Sequence, residues 1–281
     1  MMQELRKHNL TGILLIYMAC FSFRIAEYLF LRTDQTILGE AFVHKLLGLG
    51  FMLAALYVYR LKLEQIGFQK EGFIRNTLIG FIWGLIAFAL AYLLEMAVLI
   101  SQGGFRGLDF YVSAYSVSGN IGQHREMIFV LLCLAGNLIN VLMEEGIFRG
   151  LFQKLFERKH SFMTAAVCSN ILFGLWHIMA PLRSLLDGEM SLTGFWFNSL
   201  ILVVTSFLIG FQFSLMTKLT GSLYMGMAAH FVNNTVVNLF HVLSKNGADQ
   251  LLTVRISIAQ TLSLLALLIY YRRLVYLLLR R

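Results

Sequence analysis

Apolar runs about 20 residues long, the length a helix needs to cross a bilayer, recur eight times along this chain. They fall at roughly 10–31, 40–59, 77–100, 127–148, 161–179, 195–216, 221–243 and 252–277. In hydrocarbon every backbone N–H and C=O needs a partner inside the protein, so a spanning segment is either a helix or part of a closed barrel. The runs lack the in–out alternation of barrel strands and exceed their length. Composition agrees: 14% of the 281 residues are charged and one is proline, against about 25% charged in a soluble domain. The expectation is an all-α integral membrane protein of about eight transmembrane helices, one domain over residues 1–281.

A formal charge of +8 raises nucleic acid as a partner, but the placement of that charge excludes it. With the N-terminus inside, Arg6, Lys7, the Arg60–Arg75 group, Arg149, Lys154, Arg158, Lys159, Lys218, Arg272, Arg273, Arg280 and Arg281 fall on the cytoplasmic side. Arg32, Arg106, Arg125, Arg183, Lys245 and Arg255 fall opposite. This bias is the positive-inside signature. It places both termini in the cytosol, makes lipid the partner of the basic charge, and implies the plasma membrane if the source is bacterial. Cys20, Cys133 and Cys168 sit within spans at no metal-ligating spacing and read as packed thiols. The basic start and first apolar run resemble a signal peptide, yet Arg24 and Glu27 within the run favour an uncleaved first span. The longest polar interruption, 101–126, reads as an outer interfacial loop with a short surface helix. Gly80 and Gly84 read as a close helix-packing pair.

Ionisable groups inside spans are the informative exceptions, since each costs roughly 2.5–3.5 kcal/mol at a helix centre. Three clusters stand out: Asn137, Asn140, Glu144, Glu145 and Arg149; then "FGLWH" ending in His177; then "HFVNN" with His230, Asn233 and Asn234. Glu145 and Arg149 are four apart and can pair on one helix face. Glu144 points about 100° away, on the face of Asn137, Asn140 and Phe148. Without a partner in its own helix, Glu144 suits the work of a general base, while Glu145 is held by its counter-ion. Phe173 and His177 share a face with Asn170. His230 and Asn234 point at one spot and together offer two donors to a developing oxyanion. If the fourth span runs on to a turn near Lys159, Glu144 and His177 lie about 22 and 27 Å from that turn, nearly level. His230 lies about 13 Å into its span, so the clusters can meet.

Plainer readings apply to the other polar residues. Arg24 and Glu27, three apart, are expected to form a structural intramembrane pair. Glu95, His44 with Lys45, and His241 are expected to be interfacial or cavity-lining, Asn233 and Asn238 packing polars, and His160 solvated in a basic turn. For Glu144, His177, His230 and Asn234 taken together, the cost of unpaired groups in lipid favours a shared site over helix glue.

The ordered set EExxxR (Glu144, Glu145, Arg149), FxxxH (Phe173, His177) and HxxxN (His230, Asn234) resembles the three signature motifs of the CPBP family of intramembrane proteases. That family includes the CAAX prenyl endopeptidases and the bacterial Abi proteins. The resemblance covers roughly 137–241, with a catalytic core at about 127–243. It implies a membrane endopeptidase whose cavity opens to the cytosol. By position, Glu144 activates water, His177 holds or polarises it, His230 and Asn234 form the oxyanion hole, and Glu145, Arg149 and Phe173 support them. It also implies a peptide or small membrane-protein substrate, prenylated in eukaryotic relatives. Glu144, His177 and His230 would be the ligands if zinc were used. A metal-free glutamic mechanism is favoured, because ligation would remove Glu144 from its role as base.

Two other classes remain as rivals. A catalytically idle scaffold or bacteriocin-immunity protein would act by partner binding, with little reason to keep costly intramembrane charges. A transporter would use Glu144 as a proton relay, but no internal repeat or pair of broken spans supports it.

Overall fold

A computed structural model describes residues 9–36, 39–113 and 123–279. Arg6, Lys7, Arg280 and Arg281, counted above for topology, lie outside the described residues, as does 114–122 of the polar loop. Eight main helices are present among the described residues. They are α1 (Asn9–Ala26), α2 (Val43–Tyr59), α3 (Phe73–Ser101), α4 (Met127–Glu144), α5 (Phe162–Trp176), α7 (Leu192–Thr220), α8 (Tyr224–Leu239) and α9 (Leu252–Leu279). A short α6 (Met179–Leu186) prolongs α5 after a bend at His177. Six passes are long and apolar enough to span a bilayer, while α2 and α8 are shorter. The protein is an all-α integral membrane protein that crosses the membrane several times.

The bundle is polar inside and apolar outside. Leu94, Ile82, Phe197, Leu200 and Ile269 face outward, as a lipid-facing surface requires, while Arg24, Glu27, Glu95, Glu144, Glu145 and Arg149 are buried. Close approach between helices rests on small residues. Gly80 and Gly84 of α3 lie against the α8 backbone at Met225 and against Val232, so a side chain at either would collide with α8. The small-residue pair is therefore a helix contact.

The fourth pass is the central one. Beyond Glu144 it widens into a π-helical stretch, Glu145–Phe152, and closes with Gln153–Glu157 before the basic turn. Every residue from Met143 to Gln153 is buried, the mark of a helix surrounded on all sides. Phe148 anchors it, touching the rings of Tyr17, Phe152, Phe173 and Trp176.

One end of the bundle differs from expectation. The seventh apolar run does not stay helical to 243. After Leu239 it becomes strand β2 (Phe240–Ser244), antiparallel to β1 (Phe105–Phe110) and followed by β3 (Gly247–Ala248). So β1 lies where a loop with a surface helix was expected. A strand pair satisfies the backbone where the chain leaves the membrane, and its alternating burial matches a half-covered sheet.

Two residues read as interfacial or lining, Glu95 and His241, take other places. Glu95 forms a buried pair with Arg255 at 2.9 Å. Arg255 also bonds Asp249 at 2.7 Å, and His241, buried on β2, bonds Asp249 and the Tyr111 carbonyl. This chain of charges ties α3, the strands and α9 together.

Candidate active site

Helical spacing brings Glu145 and Arg149 together as expected, at 3.0 Å and fully buried. A buried pair of this kind needs further partners to offset desolvation, and α5, α7 and α8 supply them. The Arg149 guanidinium lies over the Phe173 ring, 3.8 Å from its centroid, and its Nε donates to the Gly210 carbonyl at 3.3 Å. Residue 210 is glycine because a Cβ there would strike that guanidinium and the Asn170 amide. Asn170 donates to the Ala166 carbonyl and the Ser214 hydroxyl, so it braces α5 against α7. Glu145 has a second partner that spacing within one helix could not reveal: His230 Nδ1 donates to its Oε1 at 2.9 Å.

Glu144 is 3% exposed. Its Oε1 accepts from Trp176 Nε1 at 3.1 Å and its Oε2 from Asn140 Nδ2 at 3.3 Å. The expectation that its own helix offers Glu144 no partner is overturned, because Asn140, one turn back on the same face, donates to it. His230 Nε2 is 3.7 Å from Glu144 Oε2, too far for a hydrogen bond and close enough to share a small ligand. His230 thus stands between the two glutamates, with its ring stacked on Phe213 at 5.1 Å.

His177 caps the end of α5. Its Nδ1 donates to the Phe173 carbonyl at 2.9 Å, and its ring meets the Phe173 ring edge-on at 4.8 Å. With its hydrogen on Nδ1, the other nitrogen carries a lone pair. Asn234 is fixed by a relay of amides. Gln260 of α9 donates to Asn233 at 2.8 Å, and Asn233 donates to Asn234 Oδ1 at 2.9 Å. That leaves the Asn234 NH2 as its available donor. Asn233 is therefore more than a packing polar, whereas Asn238 does pack, donating to Asn137 Oδ1 at 3.4 Å.

Two cavities meet at these residues. One, of about 480 Å³, is a largely apolar groove among α5, α7, α8 and α9. Its rim residues Leu208, Ser257 and Thr261 are exposed on the flank of the bundle. The other, of about 380 Å³, is a polar chamber reaching α1 and α2, with Arg24, Glu40 and Lys45 in its wall beside Glu144. His177, His230, Asn233 and Asn234 line both.

Arg24 and Glu27 differ from the expected direct pair. They meet through His44, whose Nδ1 donates to Glu27 Oε2 at 2.5 Å while its Nε2 accepts from Arg24 at 3.0 Å. The α1 helix widens at Glu27, which turns the two side chains onto different faces. His44 and Lys45, read as interfacial or lining, are both buried, and Lys45 pairs with Glu40 at 2.5 Å. Sequence spacing missed Trp176 and Gln260 as partners of the site, since each reaches it from a different pass. Among the described residues, no group of three or more His, Cys, Asp or Glu side chains is gathered as metal ligands would be.

Residues 126–236 match the family described as type II CAAX prenyl endopeptidase, Rce1-like. No curated protein matches the chain. The matched segment begins at the N-terminus of α4 and runs into α8 as far as Val236, so it contains every residue of the three motifs. Over these residues the chain is thus similar to the Rce1-like CAAX prenyl endopeptidases, in agreement with the family its motifs resemble.

Proposed function

We propose that the protein is an intramembrane endopeptidase that hydrolyses a peptide bond of a membrane-associated peptide or small protein, with Glu144 as general base. The observation that carries this reading is the meeting of a buried carboxylate, two imidazoles and a donor amide at the junction of an apolar groove and a polar chamber.

The hydrogen-bond directions support particular roles. A water molecule between Glu144 Oε2 and the free nitrogen of His177 gives one hydrogen to each acceptor. Its lone pair is then turned toward a substrate carbonyl. Glu144 takes the proton as the water oxygen bonds to carbon, and later delivers it to the leaving amine. Asn234 donates its amide N–H to the oxyanion. His230 donates Nδ1–H to Glu145, so its Nε2 assists at the oxyanion only when it too carries a proton. Glu145, Arg149 and Phe173 hold His230 and the π-helical stretch in place. Such a scheme uses Glu144 as base rather than as a ligand, so we propose that it runs without a metal. The basic turn Arg158–His160, exposed at one end of the bundle, supports an orientation with both chain termini in the cytosol.

The decisive experiment compares wild-type protein with Glu144→Gln at equal abundance, by mass spectrometry of membrane and released peptides from the cells that make it. Processed peptides that vanish with Glu144→Gln, while the variant keeps its melting temperature within a few degrees, are the expected result. Cleavage by the purified wild type should persist in EDTA. Identical peptide profiles would overturn the protease reading, and activity abolished by EDTA and restored by zinc would overturn the metal-free part.

A further inference from the structure

The wall of the apolar groove holds a buried amide oxygen that the fold leaves without a donor. Gln212 of α7 is 2% exposed and lines the groove. Its Oε1 has no hydrogen-bond partner among the described residues. Thr205 on the same wall is satisfied by its own helix, its hydroxyl donating to the Ile201 carbonyl one turn back at 2.8 Å. Around Gln212 the wall is apolar, with Leu208 and Ile209 one turn before it and Leu264 of α9 across from it. A methionine or leucine would close that wall without desolvating an amide, so packing does not account for a glutamine here. The next residue, Phe213, backs the His230 ring at 5.1 Å. Gln212 therefore stands one position from a support of the candidate site.

An unpaired acceptor in an apolar wall points to a ligand that brings an N–H. A hydrocarbon chain carries none, whereas every peptide residue other than proline carries one together with a carbonyl. We infer that Gln212 is a main-chain clamp for the substrate. Its Oε1 accepts the N–H of one substrate residue and its Nε2 donates to the C=O of that residue, two groups that point to the same side of an extended chain. This rests on the reading of the site as a peptidase. It adds that the groove takes extended substrate backbone rather than a lipid chain. The α7 wall from Ile201 to Gln212 runs about 16 Å, room for about five extended residues. Such a clamp is indifferent to side chains but rejects proline at the residue it holds, because proline has no N–H.

Binding without turnover tests this. The full chain carrying Glu144→Gln is reconstituted in phosphatidylcholine nanodiscs. Its affinity for the hexapeptide acetyl-Val-Ala-Phe-Leu-Ser-Ala-amide is measured by calorimetry, beside analogues N-methylated at one residue each. The parent peptide should bind with a Kd below about 1 mM. N-methylation at one position should weaken binding about tenfold, and adding Gln212→Met should shrink that loss to less than about threefold. Tolerance of N-methylation at every position would overturn the inference, as would no binding of the parent peptide. An unchanged analogue profile after Gln212→Met would overturn the assignment to this residue. Gln212→Met alone should melt no lower than wild type, because nothing among the described residues bonds the amide oxygen it removes. A fall of several degrees would mark a structural amide and overturn the clamp as well. Failure of the peptidase reading would show in the cleavage assay, as peptide profiles unmoved by Glu144→Gln, and not in these affinities.

Discussion

At the scale of single residues, the site depends on where hydrogens sit. In the proposed mechanism Asn234 presents its NH2 to the reacting carbonyl, its oxygen being engaged by Asn233, which is itself held by Gln260. Gln260 lies in α9, outside the family match. We predict that Gln260→Leu lowers kcat about tenfold and leaves KM within about twofold. Deleting an oxyanion donor outright costs about a hundred- to a thousandfold, and here the donor is only loosened. A raised KM with kcat unchanged would refute the relay, because it would show that ground-state binding had been lost instead. Much of the site was legible from spacing, but only within helices. Glu145 with Arg149 was, and so was the shared face of His230 and Asn234. The Trp176 bond to Glu144, the His230 bond to Glu145 and the Gln260 relay join separate passes, and no interval along the chain encodes which passes touch. Arg24 and Glu27 misled for a related reason: an interval of three implies a pair only while the helix keeps α geometry, and α1 widens at Glu27.

At the scale of elements, the eight passes could be read from apolar run length, while the way they are tied together could not. Hydropathy alone cannot separate the end of a span from a strand, so the chain after Leu239 was taken for helix. Several arginines that sequence assigns to outer-side topology act as clamps. Arg32 bonds Asp187 at 2.7 Å, Arg183 bonds Asp34 at 2.9 Å and Arg125 bonds Asp109 at 2.7 Å. The bond from Arg32 holds the Asp187 carboxyl below its usual range. A depressed folded value means stability that is present above the unfolded carboxylate value of about 3.9 and lost as pH falls through the folded one. Melting temperature should therefore be flat from neutral pH to about 5 and drop below about 4. An exposed pair is worth at most about 1 kcal/mol, or about 2–4 °C in a chain of this size. Asp187→Asn should melt lower than wild type by about that amount at pH 7 and converge with it in acid. Parallel curves down to pH 3 would show that this clamp contributes nothing to acid sensitivity.

At the scale of the whole molecule, a bundle with apolar side chains outside and charges inside offers two ways to its centre, one flanked by lipid-facing side chains and one lined with polar groups. The groove opens on the flank, with Leu208 on its rim beside outward-facing Leu200. A substrate that arrives by the flank is first a solute of the bilayer, and its chemical potential there depends on its mole fraction among lipids rather than on its molarity in the buffer. Rate should then obey surface dilution. Adding empty phospholipid to proteoliposomes that already hold all of a lipidated substrate, with bulk volume and amounts unchanged, should slow turnover in proportion to total lipid until vesicle-to-vesicle exchange limits it. A water-soluble peptide of the same sequence should show no such dependence. The flank opening thus makes membrane composition part of the rate law, and a cell could throttle this reaction by changing the area of its bilayer without touching the protein.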